Sequence, residues 1–274
     1  MRPVLFEIGP LAVYSWGFFL DLAVVAGVLV TIAEGRRRRL PAVEILNLSL
    51  LAAIAGFVGA RLLYVLVEWP AYRADPLSAF SIFEGGLSGY GALLGGLAAV
   101  FWTARRRGRP VLSYLDVMAP GMALGSAIGR VGCTLRGCCY GHPAAGPWGI
   151  VTTLADGLRF PAQPLEAALD LAIFGLLMLP AWRGTPGRAD GRSTPEGQRF
   201  LVYLALYAAV RFATDFVREA EYLWGWLTVT QAFSLGVLAL SLALAVRLRR
   251  PGRPSGPPRR RTGPDLAPGT GRRI

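Results

Sequence analysis

Apolar residues recur along this chain in long runs rather than in narrow stripes. Seven runs fall at about 11–34, 44–68, 86–104, 112–135, 164–182, 200–218 and 228–248. As helices they have the length needed for a hydrocarbon core about 30 Å thick. A soluble helix would show one apolar face and one polar face, and a membrane β-barrel would show alternating residues in short segments. Neither pattern is present. The spacing therefore predicts an all-α, polytopic membrane protein with seven transmembrane helices. It also divides the chain into a membrane domain, 1–248, and a tail, 249–274, rich in Pro, Gly and Arg. Such a tail cannot bury a core and is expected to be disordered.

Charge orients the predicted helices. The net charge is +12, and all 29 basic residues are arginine. Most lie in "RRRR" at 36–39, in "RRRGR" at 105–109, at Arg183, Arg188, Arg192 and Arg199, and in the tail. Each cluster adjoins an apolar run. The positive-inside rule then places loops 35–43, 105–111 and 183–199 and the tail in the cytoplasm, with the N-terminus outside. Loops 69–85, 136–163 and 219–227 fall outside. Arginine placed in this way argues for contact with bilayer lipids and against nucleic acid. The first apolar run precedes its arginines and exceeds a signal-peptide core, so it is read as a span.

The informative residues are ionisable groups inside apolar runs: Asp21, Arg61, Asp116, Arg130, Glu166, Asp170, Arg211 and Asp215. A charge near the bilayer centre costs about 2.5–3.5 kcal/mol on insertion scales, so such groups face the bundle interior and pair or bind something. Arg211 and Asp215 share a helix face, and Tyr203, Tyr207 and Arg218 extend it. One reading is a structural ion pair. The other is a phosphate site, because arginine offers a fixed fork of donors and stays charged when poorly solvated. Arg130 and Arg211 fall toward the outer ends of their runs, where a phospholipid headgroup would lie. Glycines crowd "EGGLSGYGALLGG" (84–96) and "GRVGCTLRGCCYG" (129–141). Packing is the reading for Gly95. A site loop is the reading for Gly129, Gly132, Gly137 and Gly141.

Six ordered motifs carry a resemblance: "GARLLYVL" (59–66), "GGLSGYGALLGG" (85–96), "DVMAPGMALGSAIGRVGCTLRGCCYG" (116–141), "RFPAQPLE" (159–166), "YLALYAAVRFATDFVRE" (203–219) and "TVTQ" (228–231). Together they resemble the bacterial prolipoprotein diacylglyceryl transferases. The resemblance implies transfer of the diacylglyceryl group of phosphatidylglycerol to the lipobox cysteine in a prolipoprotein signal peptide. A thioether forms and glycerol phosphate leaves. It implies the bacterial cytoplasmic membrane as location and requires no cofactor or metal. Carried onto matching positions, Arg130 and Arg211 hold the phosphate, Asp116 and Asp215 orient them, and Glu166 assists. Gln163 and Gln231 give polar support. Gly86 and Gly141 admit the substrate, and Arg61 is a headgroup or structural candidate. A divergent relative with another acceptor and an anion or lipid transporter are the alternatives.

Two departures from the family pattern stand out. Tyr90 occupies the place of a motif histidine that suits a thiol base, and so becomes the catalytic candidate there. Cys133 and Cys138 replace an Asn and an acidic residue. With Cys139 and His142 they match the ligand count of a three-cysteine, one-histidine zinc site. Their spacing is unusual, and adjacent cysteines rarely both point at one metal. A disulfide from Cys133 to Cys138 or Cys139, and free half-buried thiols, are the other readings. His142 is a further candidate base.

Overall fold

The computed structural model describes residues 2–9, 11–73, 75–80, 86–179, 195–219, 222–224 and 227–249. The predicted tail beyond Arg249 and most of loop 183–199 lie outside the described residues. The helices are α1 (Ser15–Arg37), α2 (Ala42–Val67), the short α3 (Trp69–Tyr72), α4 (Gly89–Arg107), α5 (Val111–Arg136), α6 (Ala162–Leu177), α7 (Gln198–Thr214) and α8 (Val229–Arg249). Each predicted run overlaps one long helix. By length and composition, α1, α2, α5 and α8 (to Leu248) can cross a membrane. The other three have 19, 16 and 17 residues in α4, α6 and α7.

Three small hairpins escaped the hydropathy reading. β1 (Val4–Ile8) pairs with β2 (Leu11–Tyr14), β3 (Ile150–Val151) with β4 (Leu158–Arg159), and β5 (Tyr222–Trp224) with β6 (Leu227–Thr228). The first shortens the first predicted run, because Leu11–Tyr14 is strand and helix begins at Ser15. Gly9, at φ +58°, makes the turn. Ser15 Oγ donates to the Pro3 carbonyl at 3.1 Å and ties the hairpin to α1.

Helix α5 is the axis of the bundle. It packs against α1, α4, α6 and α7, while α2 pairs with α4 and α7 with α8. Its buried Leu115, Val117, Ala119 and Ala123 join Ile45, Leu48, Val100, Ile173 and Leu177 in one core. Large apolar side chains such as Leu29, Ile54, Leu62, Leu94 and Leu240 remain exposed, as lipid-facing positions should be.

Small residues set the closest crossings. A Cβ on Gly95 would lie 2.0 Å from the Ala55 carbonyl oxygen, and one on Gly91 2.2 Å from that of Gly59. Helices α2 and α4 thus touch backbone to backbone, the way membrane helices gain packing without a hydrophobic driving force. Gly96 is different, since its Cβ would stand 3.7 Å from the nearest oxygen. Gly95→Ala should therefore destabilise by about 1–3 kcal/mol or more through overpacking. Gly96→Ala should be neutral or gain up to ~1 kcal/mol of helix propensity. Thermal melts in one detergent, run side by side, check this contrast.

One end of the bundle is held by buried ion pairs. Asp116 accepts from Arg38 at 3.0 Å and from the Gly197 and Phe200 amides at 2.9 Å each, so it caps the start of α7. Arg199, 2% exposed, donates to Glu34 at 2.6 Å and to the Leu177 carbonyl at 2.7 Å. Arg38 and Arg199 were legible only as loop charges, yet both are tied into the fold. Asp116 was expected beside Arg130. It lies fourteen residues earlier on the same helix, about 21 Å along the axis at 1.5 Å per residue, and serves the other end.

Candidate active site

The opposite end gathers the remaining charges. Arg130 comes from the last turns of α5. Gln163, Glu166 and Asp170 come from one face of α6, at the three- and four-residue spacing that stacks side chains. Arg211 and Thr214 close α7, and Asp215 is its C-terminal cap residue. Arg218 follows on a short bridge to Gly141, supported by His142 N–H donating to the Val217 carbonyl at 3.0 Å. Thr228 and Gln231 open α8.

Glu166 is the hub. It is 1% exposed and takes Arg130 Nε at 2.9 Å, Arg211 Nη1 at 2.7 Å and Arg218 Nη1 at 3.1 Å, with Thr214 Oγ1 donating at 3.2 Å. Asp215 accepts from Arg211 Nη2 at 3.2 Å and from the Thr228 hydroxyl. Three guanidinium groups thus meet two directly paired carboxylates, which leaves one positive charge over in the cluster. The arginines stay 15–19% exposed while Glu166 and Asp215 are sealed. Asp170 lies beneath, accepting from Ser126 Oγ at 2.5 Å.

The other predicted residues take different places. Gln231 accepts from the Thr228 amide at 3.1 Å and its own amide donates to Thr228 Oγ1 at 3.0 Å. This reciprocal cap fixes Thr228, which holds Asp215, so Gln231 acts through the helix start. Gln163 is fully buried; its Nε2 donates to the Cys138 carbonyl at 2.6 Å and its Oε1 has no hydrogen-bond partner among the described residues. Gly141 holds a tight crossing, because a Cβ there would lie 2.3 Å from the Val217 carbonyl oxygen. Arg61 donates to the carbonyls of Ala79, Gly86 and Ser78 at 2.8, 3.0 and 3.2 Å and sits near the rings of Tyr64 and Tyr72. It organises the turn before α4. Gly86, at φ +80°, lies against it. Tyr90 is about half exposed in the first turn of α4, with its ring edge-on to Phe233 at 5.6 Å.

Arg218 is the residue that role assignment missed. It stood in the stripe Arg211, Asp215, Arg218, but the helix ends at Thr214, and the Gly141 bridge brings it to Glu166. The glycines of the adjoining turn divide. Gly129 has open space around its Cβ position, Gly132 packs on Phe19, and Gly137 ends α5 at φ +81°. The thiols of Cys133, Cys138 and Cys139 are free and half-buried, with their sulfurs within 4.8 Å of one another. Hydrogen bonds from the Cys133 and Cys138 thiols, and then the Arg218 guanidinium, hold the Cys139 thiol below its ordinary range.

A family model described as prolipoprotein diacylglyceryl transferase matches residues 3–247. The chain belongs to the prolipoprotein diacylglyceryl transferase family. It is similar to phosphatidylglycerol–prolipoprotein diacylglyceryl transferase 2 of Clostridium perfringens, 31% identical over 245 residues, which cover 87% of this chain and 92% of that one. It is also similar to the phosphatidylglycerol–prolipoprotein diacylglyceryl transferases of Nostoc sp. (32% identical; 88% and 87% covered) and Dehalococcoides mccartyi (35% identical; 90% and 94% covered). In this member of the family, three arginines gather on one buried carboxylate at one end of the helical bundle.

Proposed function

We propose that this protein transfers the diacylglyceryl group from phosphatidylglycerol to the thiol of a lipobox cysteine. The observation that carries the reading is the grouping of Arg130, Arg211 and Arg218 on the buried Glu166 in a member of this family. The substrate phosphodiester bears one negative charge, and the departing glycerol phosphate bears close to two. A site with a cationic surplus therefore favours the transition state over the ground state, which is what accelerates a reaction. The acceptor sulfur attacks the glyceryl carbon next to the phosphate. The carbon–oxygen bond breaks, and the electron pair leaves on the phosphate oxygen, facing the guanidinium groups. Asp215 and Thr228 keep Arg211 aimed.

The same reading gives seven spans, with the N-terminus and the arginine cluster outside and the C-terminus in the cytoplasm. It gives one membrane domain, 1–248, followed by the basic tail, in the bacterial cytoplasmic membrane. Phosphatidylglycerol and the prolipoprotein signal peptide are its partners. The test is turnover by the full chain in phosphatidylglycerol nanodiscs, with a lipobox peptide carrying Cys or Ser. Release of glycerol phosphate with the Cys peptide alone, lost in Arg130→Ala that melts like wild type, is expected. No release from well-folded wild type with several Cys peptides would overturn the assignment.

A further inference from the structure

We propose that Cys133, Cys138 and Cys139 bind a zinc-class divalent cation through three thiolates, and that the acceptor cysteine enters as its fourth ligand. The second half rests on the transferase reading. The three sulfurs already lie within 4.8 Å of one another. A tetrahedral site with metal–sulfur bonds of about 2.3 Å separates its sulfurs by about 3.8 Å, so small rotamer changes suffice.

The backbone explains how adjacent cysteines converge. Gly137 turns the chain back at the end of α5, and the amides of Gly137 and Cys138 donate to the Cys133 carbonyl at 2.9 and 3.2 Å. Cys139 then adopts φ +62°, one of two non-glycine residues at positive φ among the described residues. Non-glycine residues held in such conformations cluster at functional sites. The positive φ swings the Cys139 sulfur to the side of Cys138, where an extended backbone would point the two apart. The Gln163 bond to the Cys138 carbonyl fixes the turn. A helix C-terminus favours a cation.

Coordination number sets the role. Among the described residues, the convergent ligand group contains the three sulfurs and excludes His142. Three protein ligands with an open fourth position are the pattern of reactive zinc rather than structural zinc. A disulfide would consume two sulfurs and leave the third without purpose. Here all three are free and half-buried, and Cys133 and Cys139 interact with Arg130 and Cys139 with Arg218. The acceptor thiol binds as thiolate and its proton passes to water. Its sulfur forms the bond to the glyceryl carbon as the carbon–oxygen bond breaks. The electron pair departs with glycerol phosphate, and the neutral thioether, a weak ligand, leaves. The cation keeps its oxidation state throughout. This arrangement supplies nucleophile activation from the loop after α5, apart from Tyr90, whose ring is edge-on to Phe233.

The test loads the metal-stripped full chain, in phosphatidylglycerol nanodiscs under reducing conditions, with cobalt(II) as a spectroscopic probe. One cobalt per chain with thiolate charge-transfer absorption is expected. The band should shift with the Cys lipobox peptide and not with the Ser peptide. It should vanish in Cys138→Ala and in the triple Cys→Ser variant, whose folding is checked by thermal melt. Stripping the metal should lower turnover about 10²-fold, the scale of losing activation of a nucleophile. No cobalt band in folded wild type, a band indifferent to the thiol peptide, or equal turnover with and without metal would each overturn the proposal and leave the transferase reading standing. A thiol-responsive band in a loaded chain that releases no glycerol phosphate would support the metal site and sink the transferase reading.

Discussion

Arg211→Lys is expected to lower kcat about 10²–10³-fold, the loss seen when one preorganised transition-state donor is removed. The charge is retained, so the effect isolates geometry. Arg211 reaches Glu166 through Nη1 at 2.7 Å and Asp215 through Nη2 at 3.2 Å. A lysine nitrogen cannot hold two carboxylates at those separate positions and also face a phosphate. The comparison is Arg38→Lys, at the other end of the bundle. Arg38 Nη1 contacts Asp116 at 3.0 Å and has no role at the phosphate. That variant should melt earlier and keep its kcat. Initial rates of glycerol phosphate release across a phosphatidylglycerol series check both. An unchanged kcat in Arg211→Lys would make the Arg211 pairs purely structural.

Periodicity and charge carried the long helices, because a 20-residue apolar run has few other uses. They failed at the hairpins, where Leu11–Tyr14 is as apolar as the helix that follows, and only Gly9 hinted at a turn. Site residues were legible as types in motifs, but partners were not. Asp116 and Arg130 share one motif and one helix. A helix separates them by its own length, so Asp116 caps α7 while Arg130 meets Glu166. Glu166 looked like an accessory carboxylate, since sequence spacing cannot report that two other helices and a loop end converge on it. The convergence of Cys138 and Cys139 depends on a single positive φ, which non-glycine sequence does not announce. Gln231 is the counter-example. The Thr-x-x-Gln pattern at 228–231 is a capping signature, and its role could have been read directly from the spacing.

Glu166→Gln is the substitution expected to separate binding from catalysis. Glutamine keeps the shape and one acceptor oxygen but removes the charge that Arg130, Arg211 and Arg218 share. The cluster surplus rises by one positive charge, so the ground-state phosphodiester should bind more tightly and KM should fall. Breaking a buried pair by removing one partner costs about 3–5 kcal/mol. Arginines that are 15–19% exposed recover part of that from water, so a lower melting temperature with a folded protein is expected. The guanidinium groups, freed from their common acceptor, must then be reorganised at the moment charge builds on the leaving phosphate. That reorganisation is what a preorganised site avoids, and kcat should drop by about 10²-fold or more. Because KM and kcat fall together, kcat/KM should change less than kcat does. A fall in kcat with KM raised would mean that Glu166 touches the substrate itself, through the acceptor peptide or the glycerol hydroxyls, rather than aligning the arginines that hold the phosphate.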